Sequence, residues 1–211
     1  MATWWTAHST EPDRFGTTVC VATGPSLSIA QLALLDTWRA EGRGRIIAVN
    51  DAYRFVPRWD VLYSCDAKWW HVHWPLIAGT ERGRPLVTID DSVPYSAVKC
   101  LRHSGPDGYD PDPECLRAGH NSGYQAAHLA AHLGARRIVL LGYDFQAPGR
   151  LKHCFGDHAK GLQRNTPWAM LLKAFPSLVE ELRPHGVKFV NCSPGSALKC
   201  MPAGDLPTVL R

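Results

Sequence analysis

The chain has 211 residues, of which 45% are hydrophobic and 20% are charged, and no stretch is low in complexity. This composition predicts one globular domain over residues 1–211 and leaves little material for a second core. The formal charge of +4 is scattered along the chain, which suits an anionic small-molecule substrate and does not by itself indicate nucleic acid.

Nothing in the sequence has the pattern of a membrane span or a signal peptide. The apolar runs are far shorter than the ~20 residues that a span requires. Residues 1–16 form an N-terminal extension without a basic region followed by an apolar core. We therefore expect a cytoplasmic protein with no transmembrane segment. The seven cysteines are odd in number and have no CxxC spacing, which predicts reduced, mostly buried thiols.

Six segments have the composition of buried strands. Most are continuous apolar runs, as expected for strands that helices cover on both faces. They lie at residues 17–22, 45–50, 60–65, 85–90, 137–142 and 187–193.

Helical patterns alternate with these strands, at residues 26–42, 121–135 and 166–186. Strand alternating with helix indicates right-handed crossovers and a parallel sheet. The sequence therefore predicts an α/β fold with a mostly parallel sheet of about six strands and helices on both faces. Two regions, 91–120 and 146–165, have the composition of long loops, which in a compact domain are typically functional.

Candidate N-caps mark the beginnings of the helices. Ser26 or Ser28 can cap the first helix. Ser122 and Gln125 have the spacing of a capping box in the next. Pro176 within the last helical pattern indicates a kink or a break into two helices.

Small and polar residues follow four of the strands. In open parallel sheets, ligands bind beyond the carboxyl ends of the strands, so we expect these residues to share one edge of the sheet. Together they predict a nucleotide-type pocket, although each is also an ordinary turn residue. They are Thr23-Gly24-Pro25-Ser26, Asn50-Asp51, Ser64-Cys65-Asp66 and Gly142-Tyr143-Asp144-Phe145.

Two phosphate-binding patterns are candidates within this set. The turn Gly24-Pro25-Ser26 either only reverses the chain or leaves backbone amides for a phosphate, and it matches neither GxGxxG nor GxxxxGK. Ser122 and Gly123 begin a helix, where an anion is favoured, and the alternative is a plain helix cap.

Histidine pairs occur at two places in the chain. His128 and His132 are one helical turn apart without an acidic partner, which favours packing or surface roles. His71 and His73 in "WWHVHW" have a spacing compatible with a metal. Because aromatic rings surround them, we favour an interface or the edge of the core.

The loop "HCFGDHAKGLQRN" at 153–165 has the most reactive composition. Its histidines titrate near neutral pH, and a histidine over a strand-end pocket can act as a general base. Asp157 lies beside His158, and Lys160 and Arg164 can contact a phosphate. A solvent-facing loop without chemistry is the alternative.

Several motifs, in order over about residues 17–200, resemble the bacterial sialyltransferases that modify lipooligosaccharide. They are "GPSL", "NSGYQAAHLAAHLGARRIVLLGYDF", "GDHAKG" and "VKFVNCSPGSAL". The same skeleton is similar to archaeal-type 6-hydroxymethylpterin pyrophosphokinases and to uncharacterised phage proteins. Where the sialyltransferases have a tyrosine after the aspartate-phenylalanine pair, this chain has Gln146.

The resemblance implies a Rossmann-like transferase that holds a cytidine nucleotide donor across the strand ends. His158 matches the family's histidine, which takes the proton from the acceptor hydroxyl. The other matched residues would contact the nucleotide: Gly24, Pro25 and Ser26 its phosphate and ribose, Asn50 its base or sugar, Ser122 and Gly123 its base and ribose, and Asp144 its ribose.

Three functions stay open at this point. The first is a glycosyltransferase that uses a nucleotide-activated sugar, needs no resident cofactor and acts on a glycan or on a modified DNA base. For DNA, a basic, aromatic rim is the expected feature, with Arg14, Arg54, Arg58, Lys68, Trp69 and Trp70 as its candidates.

The second is a pyrophosphokinase that uses ATP and Mg²⁺, with Asp51, Asp66 and Asp144 as metal ligands. The third is a phage accessory protein that binds a nucleotide without turnover. In each case the chain could form a homo-oligomer.

Overall fold

A parallel β-sheet with helices on both faces forms the body of the protein. The computed structural model describes residues 16–80, 83–147, 152–156, 162 and 167–211. The strands, in chain order, are β1 (Thr17–Val21), β2 (Arg45–Val49), β3 (Val61–Tyr63), β4 (Leu86–Thr88), β5 (Val98–Cys100), β6 (Arg102–His103), β7 (Cys115–Leu116), β8 (Arg137–Leu141) and β9 (Lys188–Asn191).

Seven of these strands form one sheet in the order β5-β4-β3-β2-β1-β8-β9, and every pair in it is parallel. β6 and β7 form a separate parallel pair. The chain builds the sheet outward from β1 to β5 and then crosses back to place β8 on the other side of β1. This reversal of strand order is the topological switch point of a Rossmann-like fold.

The described residues also form five α-helices and two 3₁₀ turns. The helices are α1 (Ile29–Ala40), α2 (Ala67–Ile77), α3 (Ser122–His132), α4 (Trp168–Leu182) and α5 (Leu206–Val209), and the 3₁₀ turns are Asn50–Arg54 and Arg183–His185. Among the described helices, none has both the length and the apolar character of a membrane span.

Alternate residues of each strand enter two separate cores. In β1, Cys20 packs with α3 and α4, whereas Val19 and Val21 pack with α1 and α2. Both faces of the sheet are therefore buried, which is the physical reason that the strands are continuous apolar runs.

All six predicted strands are confirmed, and the sheet has seven strands rather than about six. The additional strand, β5, lies in the region 91–120 that was predicted to be loop, as does the β6–β7 pair. These strands have only two or three residues each, too few to give a periodic pattern.

The helix caps confirm one prediction and correct another. Ser28 caps α1, and its hydroxyl forms a complete capping box with Gln31. In α3 the N-cap is Asn121 rather than Ser122, and the side chain of Asn121 accepts from the N–H of Tyr124. α4 is one helix with Pro176 inside it.

The segment "WWHVHW" lies in α2 and contributes to the core. Trp69, Trp70 and His73 are buried, and His71 is exposed with its Nδ1 at 2.9 Å from the hydroxyl of Tyr95. This confirms the core-edge interpretation. Trp69 and Trp70 cannot line a DNA-binding rim as the sequence allowed, because their rings are inside the protein.

Candidate functional site

A cleft opens at the carboxyl ends of the strands, at the switch point between β1 and β8. It encloses about 220 Å³. We call it the switch-point cleft. Its lining residues come from β1, β2, β8, the start of α3 and two further segments: Ala22, Thr23, Gly24, Val49, Asn50, Asn121, Ser122, Gly123, Gly142, Tyr143, Asp144, Phe145, Gln146, Lys152, His153, Trp168 and Leu171.

Ser26 and Asp144 join the two strands that flank the switch point. The backbone N–H of Ser26 donates to Oδ1 of Asp144 at 3.0 Å, and its hydroxyl donates to Oδ2 at 2.9 Å. Gly24 makes this approach possible, since a Cβ there would lie 1.9 Å from Oδ2 of Asp144. Burial raises the pKa of Asp144, and the hydrogen bonds from Ser26 oppose that shift.

The turn after β9 holds the other side of the β8 end. The hydroxyl of Ser193 accepts from the N–H of Tyr143 at 2.7 Å, and the hydroxyl of Ser196 donates to the carbonyl of Tyr143 at 2.6 Å. Asn191 donates to the Ser196 hydroxyl at 2.9 Å. Sequence reasoning missed these residues as part of the site, although "NCSPGS" was visible as a polar strand end.

The first turn of α3 forms one wall of the cleft. The first N–H groups of a helix have no partner within the helix and carry partial positive charge, and Ser122 and Gly123 stand at that position. At Gly123 a Cβ would lie 2.8 Å from the ring of Tyr143, whose hydroxyl donates to the Gly123 carbonyl. Ser122 also accepts from the N–H of Cys65 at 3.2 Å.

Two lining residues have a backbone conformation that is unusual for residues other than glycine. Asn50 has φ 50° and Phe145 has φ 52°. Such conformations store strain and concentrate at functional sites. The side-chain Oδ1 of Asn50 is buried and lacks a hydrogen-bond partner within the described structure. A ligand in the cleft could therefore supply its donor.

The segment 152–156 supplies the basic side of the cleft. Nδ1 of His153 lies 3.1 Å from the hydroxyl of Thr23, and the ring of His153 stacks on Phe155 with centroids 5.3 Å apart. Lys152 lines the cleft beside it. An ammonium group and an imidazole therefore line the same cleft as the start of α3.

Asp51 follows β2 but does not line the cleft. Its carboxylate is buried and accepts from Nε1 of Trp69 at 2.9 Å. Nε2 of His73 lies 3.5 Å away and Arg54 lies 3.7 Å away. Asp51 therefore fixes α2 to the 3₁₀ turn after β2.

Asp66 also serves a helix, because it is the N-cap of α2 and accepts from the N–H of Lys68 at 2.9 Å. The ends of β1, β2 and β8 line the cleft, as expected. The end of β3 reaches it through the hydrogen bond from the N–H of Cys65 to the hydroxyl of Ser122, which is a lining residue. Pro25 and Ser26 directly follow the lining residue Gly24 in the chain and do not themselves line the cleft. The nucleotide roles assigned to these residues stay predictions.

The part of the chain that the structure describes contains no group of three histidine, cysteine, aspartate or glutamate residues that could hold a metal ion. Asp51, Asp66 and Asp144 accept hydrogen bonds from three separate sets of donors. The predicted catalytic and phosphate-contacting residues lie outside the described residues: His158, Asp157, Lys160 and Arg164.

His128 is buried and His132 is half-buried, which confirms the packing interpretation. Burial lowers the pKa of His128 to about 3. The N–H of Arg117 donates to its Nδ1 at 3.3 Å, and its Nε2 lies 3.2 Å from the backbone nitrogen and 3.1 Å from the carbonyl oxygen of Asp110. These histidines fix the loop before α3. None of the seven cysteines, all of which are described, forms a disulfide, and Cys100 is exposed.

The chain has no match among protein-family models, curated proteins or solved structures.

Proposed function

We propose that the switch-point cleft binds the nucleotide part of an activated donor and that the protein is a group transferase, in the first place a glycosyltransferase. The observation that carries this proposal is that the first turn of α3 and Lys152 line the same cleft at the switch point. Open α/β sheets bind ligands at such a crevice, and a helix start with a nearby ammonium group favours a phosphate.

Other lining residues of the cleft suit a base or a sugar ring. Phe145, Trp168 and Leu171 supply apolar and aromatic surface, and Asn50 supplies an unpaired acceptor. Ligand sites combine such apolar walls with a few polar groups. A volume of about 220 Å³ is below the range of sites that enclose a whole drug-sized ligand, so it suits one part of a nucleotide sugar.

In the proposed reaction, the acceptor hydroxyl oxygen forms a bond to the sugar carbon while the bond from that carbon to the phosphate oxygen breaks. The nucleotide leaves with the electron pair, and a general base takes the hydroxyl proton. His158, with Asp157 beside it, is the base that the family resemblance implies, and Lys160 and Arg164 are the additional phosphate contacts. The acceptor is a glycan or a modified DNA base.

The donor is a co-substrate, and this reaction needs no resident cofactor. A pyrophosphokinase would instead need Mg²⁺ on Asp51, Asp66 and Asp144. Because these carboxylates accept hydrogen bonds from three different partners, Trp69, Lys68 and Ser26, they are not arranged around one ion, and this favours the metal-independent reaction.

The first experiment is a thermal-shift series with CMP, CDP, UDP, GDP, ADP and ATP, each with Mg²⁺ and with EDTA. A ligand at one hundred times its dissociation constant stabilises the folded state by about 2.7 kcal/mol. We expect a shift with at least one nucleotide in EDTA. That nucleotide then selects the sugar donors for an assay of nucleotide release.

A His158→Ala variant separates binding from catalysis. It should keep the thermal shift and lose nucleotide release from the matching sugar donor. A shift seen only with ATP and Mg²⁺ would replace the glycosyltransferase with the pyrophosphokinase. If a nucleotide binds but no sugar donor is cleaved, the protein is a nucleotide-binding accessory protein. If no nucleotide changes the melting temperature, all three functions are contradicted.

A further inference from the structure

The helix α2 has an exposed side that is mostly apolar. Leu76 is 64% exposed, Val72 is 41% exposed, and Pro75 is exposed with them. Apart from its histidines, the helix has one charged side chain, Lys68, which is exposed as well. We call the exposed side formed by Lys68, Val72, Pro75 and Leu76 the outer face of α2. The residues on its buried side are Trp69, Trp70, His73 and Ile77.

The spacing of these residues places them in one row. Lys68, Val72 and Leu76 are each four residues apart, so their side chains are neighbours along the helix. A surface helix normally has charged and polar side chains on its outer side, and α4 on the other face of the sheet has Lys173 and Glu180 there. The outer face of α2 therefore has the character of a contact surface.

The charge of Lys68 stands at the unfavourable end of its own helix. Lys68 is in the first turn of α2, where the helix has a partial positive charge. The nearby carboxylates serve the backbone: Asp66 accepts from the N–H of Lys68 and Asp90 from the N–H of Ala67, both at 2.9 Å. Within the described residues, the ammonium group of Lys68 forms no ion pair.

The other end of α2 offers carbonyl oxygens and no cation of its own. The last turn has no basic residue. The hydroxyl of Thr80 donates to the carbonyl of Ile77 at 2.8 Å, and Arg84 donates to the carbonyl of Thr80 at 3.3 Å, beyond the helix end. Among the described residues, none donates to the carbonyls of Pro75 and Leu76. This end therefore favours a cation from outside the chain.

We infer that the outer face of α2 binds the same face of a second copy of this chain, with the two helices antiparallel about a two-fold axis. The axis passes beside Val72, so that the two Val72 side chains are in contact. Lys68 and Leu76 lie about 6 Å along the helix on either side of Val72. Leu76 then packs on the apolar stem of the partner's Lys68, whose ammonium group reaches the free carbonyl oxygens.

The two ends of α2 complement each other, and this selects a second copy as the occupant. Each helix supplies a cation at its beginning and unpaired acceptors at its end, which is the self-complementarity that a two-fold interface requires. A parallel pair would place the two Lys68 side chains together. The antiparallel pair separates their positions by about 12 Å along the helix, more than the Debye length of about 8 Å at physiological salt.

The size of the outer face limits the strength of this dimer. Stable complexes bury about 1,200–2,000 Å² in total, and smaller contacts belong to transient assemblies. One helix face belongs to the smaller class, so we expect a dimer that forms at micromolar concentration and separates on dilution. Dimerisation is independent of the nucleotide proposed for the switch-point cleft, since no residue of the outer face lines that cleft.

Sedimentation velocity of the full chain, at concentrations from about 1 to 200 μM, measures the equilibrium between one chain and two. The main variant is Val72→Gln with Leu76→Gln. Because it removes apolar area from both sides of the interface, the dissociation constant should rise by at least about 10-fold. The matched control is Ile29→Gln with Met170→Gln, which changes apolar side chains that are 86% and 42% exposed in other helices. The control should dimerise like the original protein.

Lys68→Glu tests the antiparallel arrangement without removing an apolar side chain. It places a carboxylate against the carbonyl end of the partner's helix, twice in each dimer, and should raise the dissociation constant by about 10-fold. Lys173→Glu makes the same charge change at an exposed position of α4 and should have no effect. Thermal melting of dilute protein checks the folding of every variant.

Four results would contradict a dimer of this kind. The first is a single chain at every concentration. The second is an equal effect of the test variants and their controls. The third is a dimer that Lys68→Glu leaves intact, which would exclude the antiparallel pair. The fourth is binding to phosphatidylserine vesicles, lost in the Val72/Leu76 variant, by a protein that stays monomeric in solution. That result would assign the outer face to a membrane surface.

Discussion

Ser26 donates two hydrogen bonds to Asp144, and this pair connects the strands on either side of the switch point. The two bonds are 3.0 and 2.9 Å long and use both carboxylate oxygens. The residues are separated by 118 positions in the chain. The pair shapes the back of the cleft whether or not Asp144 also contacts a ligand.

Ser26→Ala should lower the free energy of unfolding by about 1.5–3 kcal/mol, because a hydrogen bond to a charged carboxylate is lost. Urea unfolding at pH 7 measures the change. Ser26→Thr keeps the hydroxyl and serves as the control. If the alanine variant is as stable as the original protein, the pair does not join the strands in solution.

Gly24→Ala should be destabilising by about 1–3 kcal/mol, since its Cβ would lie 1.9 Å from Asp144 and 2.5 Å from the carbonyl oxygen of Gly142. Gly16→Ala is the matched control, because its nearest neighbour would be 3.9 Å away. Thermal melting of both variants gives the comparison. An equal effect of the two substitutions would contradict the close packing at Gly24.

Lys152→Ala should weaken the binding of the nucleotide found in the thermal-shift series by about 10- to 100-fold, the value of one charge-assisted hydrogen bond. Isothermal titration measures the dissociation constant. Lys173→Ala removes the same charge from an exposed position of α4 and should have no effect. Unchanged affinity in Lys152→Ala would place the phosphate elsewhere.

The stability of the protein should fall in acid partly because of His128. Its pKa is lowered to about 3 in the folded state by burial, with His132 adding to the shift, whereas an unfolded histidine titrates near ~6.5. As the pH falls, the unfolded state takes up the proton first. The stability associated with neutral His128 is complete above about pH 6.5 and is lost between there and about pH 3.

Within that window, one proton corresponds to about 1.4 kcal/mol per pH unit. Urea unfolding at pH 7.5, 5.5 and 4.5 should show the decrease. His128→Gln, which offers a donor and an acceptor but no titration, should have a smaller slope. An identical pH dependence in the variant would mean that other groups control the acid sensitivity.

The positions of the six principal strands and their burial on both faces were predictable, because a strand that is buried on both faces must be apolar throughout. Ser28 was predictable as a cap because its capping partner Gln31 is three residues away. β5 was not predictable, since three residues pair with β4 only after the rest of the sheet exists. α2 was not predicted, because the exposed apolar residues Val72 and Leu76 interrupt the helical period of its buried residues.

The location of the site at the carboxyl ends of the strands was predictable from the sequence, but the contacts among its side chains were not. Parallel strand ends share an edge, so Gly24, Asn50 and Asp144 could be brought together from the sequence. Asp51 lies apart from that group because its buried carboxylate accepts a hydrogen bond from Nε1 of Trp69. No sequence pattern marks this contact. The contributions of Ser193 and Ser196 depend on β9 lying next to β8.

The sequence by itself determined the α/β class, the six principal strands and the edge of the sheet where a ligand should bind, because burial and chain direction are local properties. Only the tertiary structure decided which polar strand ends face the cleft and which serve turns, caps and the core. That choice depends on distances of about 3 Å between residues far apart in the chain, such as Ser26 and Asp144, and no local pattern encodes such distances.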